Sequence, residues 1–277
     1  MNQMNQVKQE IFISLGIISL IFIVLGLRNN VVITEYHISD KKLNDKMKVA
    51  LIADTHSCDY GKDHKEITDK LEKIKPDLVF LSGDIVDDQL PMKKGFILVE
   101  KISKKYPTFY VTGNHEMWSG KHDYIKEKIS SFGVKVLSGD SEIVKVNGTS
   151  INIMGIDDPD IGESIYSKEY EKLEKVYKNG LTFLLAHRPE RTFDYSELGV
   201  DYIFSGHAHG GQWRVPILLD KGLYAPNQGL FPKFTKGITQ LDRGKLIVSR
   251  GLSRESTRIP RFYNPPEIVV INFDKVE

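Results

Sequence analysis

Five short, mainly apolar runs punctuate the chain, and each breaks off into polar residues: Val49–Ala53, Leu78–Leu81, Thr108–Val111, Leu181–Ala186 and Tyr202–Phe204. Runs of this kind, bounded by charge and lacking polar alternation, predict strands covered on both faces. Between the first three lie stretches with helical spacing. His64–Ile74 places Ile67, Leu71 and Ile74 on one face, and Met92–Lys104 does the same with Phe96, Val99 and Ile102; Pro76 and Pro107 follow them. Strand, helix, strand, helix, strand at this spacing predicts parallel pairing through crossover helices. After a further helix near Asp123–Phe132 the texture changes. Val134–Leu137, Glu142–Val146 and Ser150–Met154 predict short strands, with Asn147-Gly148 as a hairpin turn. A helix near Lys168–Lys178 leads back into the buried run at Leu181, and Ile268–Ile271 predicts a closing strand.

The N-terminus departs from this pattern. Ile11 to Leu27 is uncharged throughout, at the short end of the ~17–25 residues that cross a bilayer. A core helix of a soluble domain would carry a polar stripe. A signal peptide would have a shorter apolar region and a small-residue cleavage site, whereas Arg28-Asn29-Asn30 follows directly here. The expectation is a retained anchor at residues 11–27, after a tail (1–10) and before a connector (28–46), with one α/β domain over 47–277. Lys8 before the span against Arg28, Lys41 and Lys42 after it favours the domain inside, a light vote because large domains translocate regardless of such charge. The formal net charge of +1 over 277 residues gives no global field for a nucleic-acid polymer, and a single cysteine, Cys58, excludes an internal disulfide framework.

Chemistry concentrates where the apolar runs end. The five runs are followed, in order, by Asp54-Thr55-His56, by Gly83-Asp84 with Asp87 and Asp88, by Gly113-Asn114-His115-Glu116, by His187, and by Gly206-His207-Ala208-His209. Open α/β sheets hold ligands beyond the carboxyl ends of their strands, so clusters far apart in sequence can converge on one site. His207 and His209 sit two apart at a strand end, where alternate side chains point the same way. Carboxylates, an amide oxygen and imidazoles suit borderline first-row divalent ions. The set is too large for one tetrahedral site and about right for two ions sharing a carboxylate, which sit ~3.5–4 Å apart in two-metal hydrolases. His37, His64 and His122 fall outside these clusters.

Taken together, the blocks Asp54-x-His56, Gly83-Asp84-x-x-Asp87, Gly113-Asn114-His115-Glu116, His187 and Gly206-His207-x-His209 resemble the calcineurin-like metallophosphoesterases, from about Lys48 to the C-terminus. The resemblance implies a four-layer α/β/β/α sandwich and two divalent ions such as Mn, Fe or Zn. It implies Asp54, His56, Asp84 and His209 on one ion, and Asp84, Asn114, His187 and His207 on the other. It further implies a metal-bridging hydroxide as nucleophile, His115 as proton donor to the leaving group, and Asp87 orienting His115. Asp88 stands where the family's protein-phosphatase branch carries an arginine clamp, which argues against a protein phosphatase. The membrane span, His187-Arg188-Pro189 and Asn264-Pro265-Pro266-Glu267 are similar to a bacterial membrane-associated subgroup. That subgroup includes phosphodiesterases and UDP-2,3-diacylglucosamine hydrolase-like enzymes. It implies a lipid-linked or nucleotide-diphosphate substrate and an extracytoplasmic lean for the domain. A phosphomonoesterase and a non-catalytic metal-binding scaffold are the competing expectations. Leu223–Ile238 reads as a substrate lip, a membrane-facing loop or ordinary surface. Arg250, Arg254, Arg258 and Arg261 read mostly as solvated surface, and Cys58 as incidental.

Overall fold

The computed structural model describes residues 2–176, 180–254 and 259–276; Tyr177 and Lys178, at the end of one expected helix, and Arg258 lie outside them. In chain order the elements are α1 (Asn2–Gly26), β1 (Val32–Asp40), β2 (Met47–Ile52), α2 (Lys65–Ile74), β3 (Leu78–Ser82), α3 (Met92–Ser103), β4 (Thr108–Val111), α4 (Asn114–Trp118), α5 (His122–Ser130), β5 (Lys135–Val136), β6 (Asp140–Val146) and β7 (Thr149–Gly155). There follow α6 (Glu163–Glu174), β8 (Leu181–Leu185), α7 (Thr192–Glu197), β9 (Tyr202–Ser205), β10 (Tyr224–Ala225), β11 (Gly229–Leu230), β12 (Gly237–Gln240), β13 (Lys245–Val248) and β14 (Glu267–Lys275).

Two six-stranded mixed sheets pack face to face. The first runs β1-β14-β2-β3-β4-β5 and the second β12-β13-β9-β8-β7-β6. In the first, β2, β3, β4 and β5 are parallel, while β14 is antiparallel to β2. In the second, β7, β8, β9 and β13 are parallel. The apolar runs have no polar alternation because both of their faces are covered. Val49 and Leu51 of β2 enter the core between the sheets, whereas Ala50 and Ile52 face α2 and α3. On the other sheet, Phe183 and Leu185 point to the shared core and Leu184 to the cluster beneath α6 and α7. Phe80, Phe109, Phe183 and Phe204 interlock at the centre, Phe80 lying 4.8–6.0 Å from the other three ring centroids.

Two expectations need correction. The segment 28–46 is not simply a connector, because Val32–Asp40 forms β1 and pairs in parallel with β14. It is an edge strand with alternately exposed residues and a partner more than two hundred positions away, so no local apolar run announces it. The N-terminal helix starts at Asn2 rather than Ile11, because the Gln, Lys and Glu residues before the apolar run are themselves good helix formers. Its Asn5–Gly26 portion is long and apolar enough to cross a membrane.

Candidate metal centre

The loops leaving β2, β3 and β4 on one sheet, and β8 and β9 on the other, meet at a buried polar cluster. Asp54, His56, Asp84 and His209 each bring a donor atom to within 4.8 Å of the others, and so do Asp84, His187 and His207. Asp84 belongs to both groups. All of these side chains are buried or nearly so, as is Asn114. The backbone is bent to present them: Asp54, His56, Asp84, His207 and His209 all have positive φ, between 46° and 65°. Non-glycine residues rarely adopt that region, and such strain collects at functional sites. Close approach adds a second constraint. A Cβ on Gly113 would lie 2.3 Å from Asp84 Oδ1, and one on Gly206 would lie 2.7 Å from Asp54 Oδ2.

Each imidazole is pinned by one nitrogen and leaves the other for the centre. His56 Nδ1 donates to Asp87 Oδ1 (3.1 Å), His187 Nδ1 to the Ser82 carbonyl (2.8 Å), and His207 Nε2 to Asn227 Oδ1 (2.7 Å). His209 Nδ1 is hydrogen-bonded to Ser253 Oγ at 2.7 Å. Outer partners of this kind fix the tautomer and aim of metal-ligating histidines. Inside the ring of donors, Asp54 Oδ2, His56 Nε2 and Asn114 Oδ1 are buried without a hydrogen-bond partner in the protein. His207 Nδ1 and His187 Nε2 face each other at 3.2 Å, and His187 Nε2 lies 3.1 Å from Asp84 Oδ2. Such an array coheres only around positive charge. Burial pushes the His187 imidazole down, yet the charge of Asp84, its hydrogen bond and the charge of Asp54 outweigh this and raise it to about 10. His207 goes the other way: burial and the neighbouring His187 lower it to about 3, and burial first, then His56, put His209 well below its usual value. His207 and His209 are thereby held neutral, as metal ligation requires, while the raised His187 shows how strongly Asp84 and Asp54 call for positive charge here, so the donor set fits divalent ions.

His115 stands beside this cluster. Its ring meets His56 edge-on at 4.3 Å and Trp118 at 4.7 Å. Its Nδ1 lies 2.6 Å from Asp88 Oδ1 and 3.1 Å from Asp87 Oδ1. Burial alone would lower its pKa, but the Asp87 hydrogen bond, the Asp84 charge and the Asp88 hydrogen bond raise it to about 9. Asp87 therefore divides itself between His56 and His115, and Asp88 is the nearer partner of His115. In the sequence Asp88 stands out only as the absence of an arginine.

Other members of the site went unread. Glu116 accepts hydrogen bonds from the backbone N–H groups of Asp84, Ile85, Val86 and Gly113 and so fixes the Asp84 loop. Glu116 stands three residues after the helix cap Gly113 and accepts from its N–H, the half of a capping box that needs no cap side chain. Asn227 and Ser253 carry no comparable local signal. Asn227 makes part of Leu223–Ile238 a wall of the site. The expectation of solvated arginines is corrected as well. Arg250 pairs with Glu267 (2.6 Å) and Arg254 with Glu66 (2.9 Å), while the buried Arg261 donates to Ser253 O and Oγ. His37, His64 and His122 stay outside the cluster.

A buried carboxylate–imidazole cluster at the strand ends of two facing mixed sheets defines a metal-dependent hydrolase. Comparison with known proteins specifies which kind: residues 47–211 match the calcineurin-like phosphoesterase family, and the chain belongs to it. It is accordingly a hydrolase of phosphoric esters. Among similar proteins, the Bacillus subtilis metallophosphoesterase YkuE is 28% identical over 82% of this chain and 78% of its own length. An Aquifex aeolicus metallophosphoesterase is 31% identical over 72% and 74%. The Escherichia coli phosphodiesterase YaeI is 25% identical over 64% of each chain. The phosphopantetheinyl hydrolase PptH of Mycobacterium tuberculosis shares the fold, with a TM-score of 0.50 and 12% identity over 79% of this chain and 96% of its own.

Proposed function

We propose that this chain is a membrane-anchored phosphodiesterase or pyrophosphatase using two divalent ions, acting on a lipid-linked or nucleotide-diphosphate substrate. The observation that carries the two-ion reading is the pair of donor groups that share Asp84. Asp54, His56, Asp84 and His209 would hold one ion, and Asp84, Asn114, His187 and His207 the other. When bound, such ions neutralise phosphoryl oxygens and lower the pKa of water. The chain's own part is to fix the donors, exclude bulk water and deliver a proton. His115, held through Nδ1 by Asp88 and Asp87 beside the donor cluster, would give its Nε2 proton to the departing oxygen. Asp87 and Asp88 are positioning residues in this reading.

The name of the E. coli relative favours diesters, and the apolar helix favours a substrate met at the bilayer. The test uses the full-length protein, stripped with chelator and reloaded with Mn²⁺, Fe²⁺ or Zn²⁺, on bis-p-nitrophenyl phosphate and on p-nitrophenyl phosphate. Metal-restored activity greater on the diester is expected. Faster monoester turnover would turn the reading to a phosphomonoesterase, and no activity with any metal would leave a metal-binding scaffold.

A further inference from the structure

The last turn of α1 is built into the catalytic domain. Tyr263 N donates to Gly26 O at 2.7 Å and the Tyr263 hydroxyl to Phe22 O at 2.9 Å, while the Phe22 ring packs on Phe262 and Tyr263. Phe22 lies about one helical turn inside the end of the apolar run. The span Asn5–Gly26 is about 33 Å long at 1.5 Å per residue, close to the ~30 Å hydrocarbon core it would cross. A span matched to the core leaves little of the helix over as a stalk. If α1 crosses the bilayer, Phe22 is submerged and Phe262 and Tyr263 sit at the headgroup level.

Aromatic rings surround Phe262. Trp213 packs on its ring, and Arg214 N donates to its carbonyl. From there the chain turns through a hairpin closed by Val215 and Leu219, whose tip carries Ile217, 97% exposed, and Leu218, 84% exposed. Leu230 of β11 and Phe231 just after it add two more, at 66% and 69%. Isolated exposed apolar residues are ordinary, but a set of this size beside a membrane helix is a contact surface. Aromatic rings at the rim, as Trp213 and Tyr263 are here, suit the interface between water and lipid. The exposed Lys221 lies in the same lobe and the exposed Lys233 just beyond it, while Asp220 is engaged by Arg214 and Lys236.

We propose that the lobe formed by residues 213–231 docks on the bilayer surface beside α1, seating Ile217, Leu218, Leu230 and Phe231 among the lipids. The inference rests on the reading of α1 as a membrane span. It bears on catalysis because the same lobe walls the metal centre: Asn227, on the turn between β10 and β11, holds His207. The segment carrying Phe262 and Tyr263 likewise holds His209 on both sides, through Arg261 on Ser253 and through Asn264 on the His209 carbonyl. Docking therefore puts the segments that hold His207 and His209 at the headgroup plane.

The test reconstitutes the full chain in vesicles of phosphatidylcholine and phosphatidylglycerol containing doxyl-labelled lipid. An environment-sensitive fluorophore is placed at Ile217→Cys, Phe231→Cys, Ile18→Cys or Glu142→Cys, the last on the distant β6; Cys58 is fully buried and stays unlabelled. Labels at 217 and 231 should lose about half of their emission to shallow nitroxides, as expected for side chains seated 5–10 Å into the boundary, with little loss at 142. Adding Ile217→Asp and Leu218→Asp should release the label at 231 while leaving hydrolysis of soluble bis-p-nitrophenyl phosphate unchanged. Quenching at 18 without quenching at 217 and 231 overturns docking and leaves the anchor standing. Quenching at none of the three overturns both. Disulfide cross-linking between two copies of the unlabelled Ile217→Cys variant, with no lipid quenching, assigns the lobe to a second copy instead, and also overturns docking.

Discussion

At the carboxyl edge of the first sheet, the loops after β2, β3 and β4 present Asp54, His56, Asp84 and Asn114; across the interface, the loops after β8 and β9 present only imidazoles, His187, His207 and His209. All of the candidate anionic ligands come from one sheet, and most of the neutral donors from the other. The means of support differ as well. The loops after β3 and β4 are tied by a single carboxylate, Glu116, through four backbone N–H groups. The second sheet's imidazoles depend on separate partners brought from elsewhere: Ser82, Asn227 and Ser253. The difference teaches that charge and aim are specified independently. The first sheet sets how much positive charge the centre demands, and the second sets where the lone pairs point.

Substitutions on the two sides should then fail differently. The largest effect is expected from Asp84→Ala, which removes the donor common to both groups. Bound metal measured by elemental analysis should collapse, and diester hydrolysis should fall by on the order of 10³-fold or more at any metal concentration. Full metal content in that variant would break the shared-donor reading. His115→Ala comes next. Metal content should be unchanged while turnover of an alkyl phosphodiester falls by about 10²–10⁴-fold, with a smaller loss on a nitrophenyl ester that needs no proton donor. Equal losses on both esters would remove His115 from its role. The smallest effect belongs to the outer partners of the second sheet. Ser253→Ala and Asn227→Ala should weaken metal affinity by about 10–100-fold, yet recover near-normal turnover when metal is added in excess. Failure of excess metal to rescue them would show that they do more than aim an imidazole.

The same contrast explains what was legible in the sequence. The strand-end clusters announce themselves because a buried run and the polar residues after it are contiguous; β2, β3, β4, β8 and β9 all lie where the apolar runs predicted. The Asp54, His56, Asp84, His187, His207 and His209 side chains do converge. Relations made across distance in the chain were not legible. Asp88 reaches His115 over 27 positions, Ser253 reaches His209 over 44, and β1 finds β14 at the other end of the molecule. No short-range periodicity encodes such pairings, since each depends on where a loop lands after the sheets have packed. Glu116 is the intermediate case, a long-range anchor written as a local capping pattern.

The order β1-β14-β2 in the first sheet has a consequence for biogenesis. The strands β1 and β2 are neighbours in sequence but lie on opposite sides of β14, so their inner edges stay unpaired until Glu267–Lys275 has been synthesised. At translation rates of roughly 5–20 residues per second, the ribosome needs about 11–45 seconds to travel from Asp40 to Glu267. For that interval the nascent chain carries two open β-edges, the kind of surface that invites pairing with other chains. Completion of the sheet is thus a late insertion, and β14 works as a latch rather than as an appendage.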